Sequence, residues 1–250
     1  MKNKMLELTR ELLLAILAGI AISIGGVAFL VAKTMETAIT PDVTFVATSR
    51  VVGALFFTVG LFMVCVFSLN LFTGKVGFAL DKKPSYIINL VVIWIGNLLG
   101  AMGVGYLLRS TRFANNLVPI ADAVSNGKIN DTFLSIFILA IFCNILIFLA
   151  VYGFNKFESP LFKALALFFG VSVFVLAGFE HCVANMFYFS IANAWGGNAI
   201  ICILATTLGN IVGGLLLPVC FKISDKLKGK CEQSETSQAT QQPEQAENKD

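Results

Sequence analysis

Few side chains in this 250-residue chain could do chemistry, and two of them are adjacent. Glu180 and His181 stand between the uncharged runs 164–179 and 182–221, and His181 is the chain's one histidine. An ionised carboxylate at mid-bilayer costs at least ~2.5 kcal/mol, so a residue of that kind is retained for pairing or for function. Imidazole can both donate and accept a proton near neutral pH. His181 therefore either caps a broken helix end or faces a transport pathway, and the second reading is adopted. Neighbouring residues point in different directions, so Glu180 is read as a stabiliser of the break, bound to freed backbone N–H groups or to an adjacent helix.

A second polar interruption lies at residues 68–77, Ser-Leu-Asn-Leu-Phe-Thr-Gly-Lys-Val-Gly. Thr73 there either caps loosened backbone or offers a hydroxyl facing His181. Lys75 is placed at the edge of the membrane and not in its middle. Asn97, Asn144 and Asn210 lie within apolar runs. Close helix packing explains the glycines beside them but not the asparagines, which are read as binding the broken segments.

The elements that must position these groups are membrane spans. Charged residues make up 13% of the chain, against about 25% in a soluble domain, and mean hydropathy is +0.82. Residues 12–32, 51–74, 85–108, 132–155, 164–179 and 182–221 carry no charge. About 20 apolar residues cross a bilayer as helix, and the last run is long enough for a span plus a half-helix. The expected fold is all-α, with six transmembrane helices near 12–32, 50–69, 85–108, 132–155, 163–178 (a second piece near 184–191) and 198–221. The first apolar stretch is a span and not a cleaved leader. Residues 1–222 form the channel domain, and residues 223–250, rich in Gln, Glu, Ser and Thr, are expected to be a disordered tail.

Lys and Arg residues gather at one set of span ends: Lys2, Lys4, Arg10, Lys82, Lys83, Lys156, Lys163, Lys222, Lys226, Lys228 and Lys230. The alternate ends hold only Lys33, Arg50, Arg109, Arg112 and Lys128. The positive-inside rule places both termini in the cytoplasm. The scattered cations form no nucleic-acid footprint. Five of the six cysteines lie in apolar runs, where a thiol packs as a small hydrophobe, and none has zinc-ligand spacing. No metal or cofactor is implied.

The two interruptions look related. Asn70-Leu71-Phe72 reappears as Asn185-Met186-Phe187, and Gly96-Asn97-Leu98-Leu99-Gly100 as Gly209-Asn210-Ile211-Val212-Gly213, at nearly the same offset. This implies two repeats, about 10–110 and 128–222. Three spans each makes the second inverted. Inverted repeats with broken helices at matching positions locate a pathway at their interface.

Leu71-Phe72-Thr73, the run from Gly178 to Phe187 and Gly209-Asn210 resemble the formate/nitrite transporter family over roughly residues 2–221. The resemblance implies an aquaporin-like fold with two broken helices, a homopentamer in the inner membrane, and passage of small monovalent anions such as formate, nitrite and hydrosulfide. It implies that His181 is the central pore histidine and Thr73 the threonine opposite it. Lys128 corresponds to a vestibule lysine, and Asn144 to the pore asparagine that follows it in the next span. Leu61, Leu71 and Phe72 correspond to the cytoplasmic constriction, Phe57 and Phe174 to the periplasmic one. Asn185 and Asn210 correspond to asparagines tied to the breaks. Gly74-Lys75 and Cys182 are closer to the hydrosulfide branch.

The expected activity is a channel in which His181 donates a proton or supplies positive charge. A gated anion/proton symporter is the alternative. A neutral-solute channel of the aquaporin type needs Asn-Pro-Ala half-helices, and no Asn-Pro occurs. An enzyme is excluded: one histidine cannot build a multi-histidine metal centre, and no Gly-x-Ser-x-Gly is present.

Overall fold

The structure, a computed structural model, describes residues 2–38 and 43–247 and contains no strand among them. Its helices are α1 (Lys2–Ala38), α2 (Val43–Val66), α3 (Phe72–Val76), α4 (Tyr86–Arg109), α5 (Ala114–Ile129), α6 (Phe133–Lys156), α7 (Pro160–Ala177), α8 (Cys182–Ala192) and α9 (Gly197–Glu247). A 3-10 turn, Ala79–Asp81, follows α3. Six of the helices, α1, α2, α4, α6, α7 and α9, are long and apolar enough to cross a membrane. A helix satisfies its own backbone in lipid, so any interruption at depth must find other partners.

Local signals set the boundaries. Thr132 Oγ1 accepts the Ser135 N–H at 3.2 Å and starts α6, and Pro160 occupies the first turn of α7. The helices α2 and α7 end alike. Ser68 (φ 53°) and Gly178 (φ 76°) turn left-handed, and the next N–H reaches back six residues inclusive. Leu69 donates to the Val64 carbonyl at 2.8 Å and Phe179 to the Phe174 carbonyl at 3.0 Å. Both are Schellman closures, made with a glycine in one half and a serine in the other.

In the first half α1 packs on α2 and α4. In the second, α6 packs on α7 and α9, and α2 meets α7 across the middle. A Cβ on Gly100 would strike the Ile16 carbonyl, and one on Gly213 the Ile141 carbonyl. The third span of each half therefore rides directly on the backbone of the first, the close approach that small residues permit in membranes.

These matches correct the register of the repeat. By backbone role, Ser68-Leu69-Asn70-Leu71-Phe72 answers to Gly178-Phe179-Glu180-His181-Cys182. The Asn70 N–H reaches the Leu14 carbonyl at 3.3 Å, and the Glu180 N–H reaches Leu139 at 3.4 Å. The identity between Asn70-Leu71-Phe72 and Asn185-Met186-Phe187 is a coincidence of residue types. The Gly-Asn match in α4 and α9 stands.

Two further differences concern segments. The amphipathic helix α5, which the sequence reading left unassigned, lies against α8 and α1. Residues 223–247, expected to be disordered, continue α9 as helix. No capping residue interrupts the exit from the span at Phe221-Lys222-Ile223, and the Lys, Glu, Gln and Ala that follow are good helix formers. From Phe221 to Cys231 the described side chains are almost all exposed, so no core contact holds that stretch.

Candidate functional site

The breaks converge at the centre of the fold. The β-region backbone of His181 (φ −118°, ψ 116°) makes it the N-cap of α8, and its Nδ1 accepts the Ala184 N–H at 3.2 Å. With Nδ1 an acceptor, the ring proton sits on Nε2. That atom lies 2.9 Å from Thr73 Oγ1, so the imidazole, held neutral, donates to the threonine hydroxyl. Both side chains are buried, His181 at 2% and Thr73 at 1% exposure. The Phe174 ring stacks on His181 (centroids 5.7 Å, 21°), and Phe57 meets Phe174 edge-on (5.8 Å, 83°).

Each break is held by one asparagine from the third span of its own half. Asn97 Oδ1 accepts the Phe72 N–H at 2.8 Å, and its Nδ2 donates to Ala15 and Asn70 carbonyls at 2.8 and 2.9 Å. Asn210 Oδ1 accepts the Cys182 N–H at 3.0 Å, and its Nδ2 donates to Ala140 and Glu180 carbonyls at 2.8 and 2.9 Å. Both therefore bond the backbone at the breaks.

Two cavities approach this centre from opposite ends, termed outer on the side of Arg50 and inner on the side of the turn Ala79–Asp81. One, about 280 Å³, is lined by Phe57, Phe174, His181, Asn185, Arg50 and Lys128 among others. The other, about 510 Å³, is on the side of the turn Ala79–Asp81 and is lined by Leu71, Gly74, Lys75, Cys65 and Glu11 among others. No residue lines both, and Leu61 and Thr73 line neither although both are buried. The path between the cavities is closed at this point.

The remaining candidates divide. Leu71 forms part of the inner cavity wall. Phe72 lies on a separate groove, because one residue along α3 rotates a side chain to another face. Lys128 does reach the outer cavity, but its Nζ is 2.8 Å from Glu180 Oε1, with side-chain exposures of 16% and 7%. Its charge is thus matched, and Glu180 is the partner of a neighbouring helix and of Asn185, whose Nδ2 donates to Oε2 at 2.6 Å. Asn144 lines neither cavity; its Nδ2 donates to the Asn210 carbonyl at 2.5 Å. The Oδ1 atoms of Asn144 and Asn185 are buried without a hydrogen-bond partner among the described residues. The sequence reading missed Arg50 as a site residue. It lines the outer cavity with a guanidinium nitrogen beside Gly178, and makes no ion pair among the described residues. Its position as the lone charge at the start of the second uncharged span was the available signal. Among the described residues no group of three or more His, Cys, Asp or Glu side chains could hold a metal.

The chain is similar to known membrane transport proteins. The family model described as Formate/nitrite transporter matches residues 1–223. A probable formate transporter of Methanothermobacter thermautotrophicus is 31% identical over 242 residues, covering 85% of this chain and 87% of that protein. The transporter YrhG of Bacillus subtilis is 33% identical over 184 residues, 66% of this chain and 68% of its own. A solved pentameric formate channel with formate bound superposes with a TM-score of 0.78 at 30% identity, over 88% of this chain and 98% of that one.

Proposed function

The chain belongs to the formate/nitrite transporter family, a membrane transport protein and not an enzyme, and from that premise we propose that it passes small monovalent anions of the formate class between His181 and Thr73. The observation that carries this reading is the buried His181–Thr73 hydrogen bond in the closed stretch between two cavities. An anion entering there takes the Nε2–H and the hydroxyl proton in place of the bond the two side chains make with each other. This replaces part of the water shell whose loss otherwise bars a bare ion from an apolar passage.

Each cavity offers a cation with no ion-pair partner among the described residues: Arg50 outside and Lys75 inside. These gather the anion, because Lys128 is occupied by Glu180. His181 acts as a neutral donor, since a second proton on Nδ1 would confront the Ala184 N–H. The proton that lets the cargo cross the apolar stretch as its conjugate acid then comes from cavity water. Hydrosulfide and nitrite fit the same chemistry, being small, monovalent and able to accept two hydrogen bonds. The protein assembles as a homopentamer in the cytoplasmic membrane with both termini inside, a topology supported by its lysine distribution.

The test is flux through the reconstituted protein against formate, nitrite, hydrosulfide, acetate and chloride. The reading expects the first three to pass, faster as pH is lowered, and chloride to fail because its conjugate acid is too strong to form in water. Equal chloride flux would sink the neutral-acid step. The closed stretch between the cavities also favours a gated carrier, for which saturation and counter-flow are the signature.

A further inference from the structure

Phe72 opens on a third cavity, which shares Lys82 and Tyr86 with the rim of the inner cavity and otherwise lies apart from it. This groove of about 710 Å³ runs between α4 and α9, with Val91 and Trp94 on one wall and Leu204 and Ile211 on the other. Its floor is Phe72 and Val76, the face of α3 away from the inner cavity. Among the described residues one hydrogen bond joins the two walls, from Trp94 Nε1 to Thr207 Oγ1 at 3.2 Å. At the end nearest the turn Ala79–Asp81 stand Lys82 and Lys83, both exposed, with side chains that make no ion pair or hydrogen bond among the described residues. Asp81, the adjacent carboxylate, is taken by Lys222 at 2.7 Å.

We propose that this groove is a binding site for an anionic membrane phospholipid, its acyl chain between α4 and α9 and its head-group phosphate on Lys82 and Lys83. The walls are apolar where the adjoining medium is hydrocarbon, which favours a lipid chain over any polar ligand. A pair of unmatched lysines at the mouth of a cleft between spans complements a phosphate, and basic pockets of this kind recognise anionic head groups. The bound chain rests on Phe72 and Val76. It braces from behind the short helix whose Leu71 lines the inner cavity and whose Thr73 meets His181. That consequence rests on the proposed transfer path; the binding site itself does not.

Trp94 supplies the probe. A Trp195→Phe variant leaves it as the single tryptophan of the chain. The full-length variant is reconstituted in phosphatidylcholine bilayers, and brominated-chain phosphatidylglycerol or brominated-chain phosphatidylcholine is titrated in. Half-quenching of Trp94 emission is expected at a mole fraction of phosphatidylglycerol at least fivefold below that of phosphatidylcholine. Adding Lys82→Gln and Lys83→Gln removes the difference, and Lys82→Arg with Lys83→Arg keeps it. Equal quenching by the two lipids overturns the proposal. So does an absence of quenching by either, which would mean that a second copy of the chain seals the groove, and so does a preference that survives the double Gln change. None of these readouts depends on which solute the protein passes.

Discussion

The two breaks share a backbone and differ in almost every side chain that meets the cavities. Both begin after a left-handed residue, Ser68 or Gly178, and both are fixed by a single asparagine, Asn97 or Asn210, through one N–H and two carbonyls. At matched positions the first break carries Asn70 and Leu71, the second Glu180 and His181. Asn70 donates to Glu11 at 2.6 Å, whereas Glu180 pairs with Lys128 at 2.8 Å. Leu71 has no side-chain bond at its N-cap position, whereas His181 caps its own helix through Nδ1 and points Nε2 at the other break. One half supplies an apolar closure and the other a hydrogen-bond donor. The two halves share the scaffold and differ in a few side chains at the breaks.

The shared scaffold predicts matched damage. Asn97→Ala and Asn210→Ala each remove three buried hydrogen bonds, leaving the Phe72 or Cys182 N–H and the Asn70 or Glu180 carbonyl without that partner, at ~1–3 kcal/mol apiece. Both variants are expected to lose most of their folded yield and to melt far below the parent in detergent. If Asn97→Ala alone were tolerated, the equivalence of the breaks would be wrong.

The divergent positions predict unmatched damage. Glu180→Gln leaves Lys128 facing a neutral amide, and breaking a buried pair costs about 3–5 kcal/mol. Asn70→Ala removes one hydrogen bond to Glu11, a loss of ~1–3 kcal/mol. Thermal melting should rank Glu180→Gln well below Asn70→Ala. Glu180→Gln with Lys128→Met should recover most of the difference, because no unmatched charge then remains. Equal melting of the two single variants would show that the ion pair is not the distinguishing feature of the second break.

The smallest effects belong to the cavity mouths. Arg50→Gln and Lys75→Gln are expected to raise the half-saturating anion concentration several-fold, each from its own side of the membrane, with little change in maximal flux. Raising ionic strength should erase both effects, since exposed charges are screened beyond about 10 Å at 0.1 M salt. A fall in maximal flux instead would move these cations from capture to the transfer step.

Much of this architecture is visible in the residues themselves. Uncharged runs mark the spans because lipid forbids charge, and Gly96-Asn97 with Gly209-Asn210 marks the scaffold because the same backbone geometry needs the same amide. The register of the breaks is not visible in the same way. Asn70-Leu71-Phe72 resembles Asn185-Met186-Phe187 in letters, but the equivalence lies in carbonyl and N–H partners, which residue identity does not record. The pairing of Lys128 with Glu180 joins elements distant in sequence, so the lysine reads as a free cation until the fold closes on it. The resemblance groups Phe72 with Leu71, although their side chains line different cavities. Arg50 reads as a topology signal because nothing local shows that Gly178 will lie beside it.

The central claim is that His181 and Thr73 act as one unit on the transferred anion. Formate flux in liposomes from the parent, Thr73→Val, His181→Leu and the double variant measures it. The account predicts that each single change lowers flux at least tenfold and that the double variant is no slower than His181→Leu alone. Two losses that simply multiply, or a His181→Leu variant with parental flux, would contradict it.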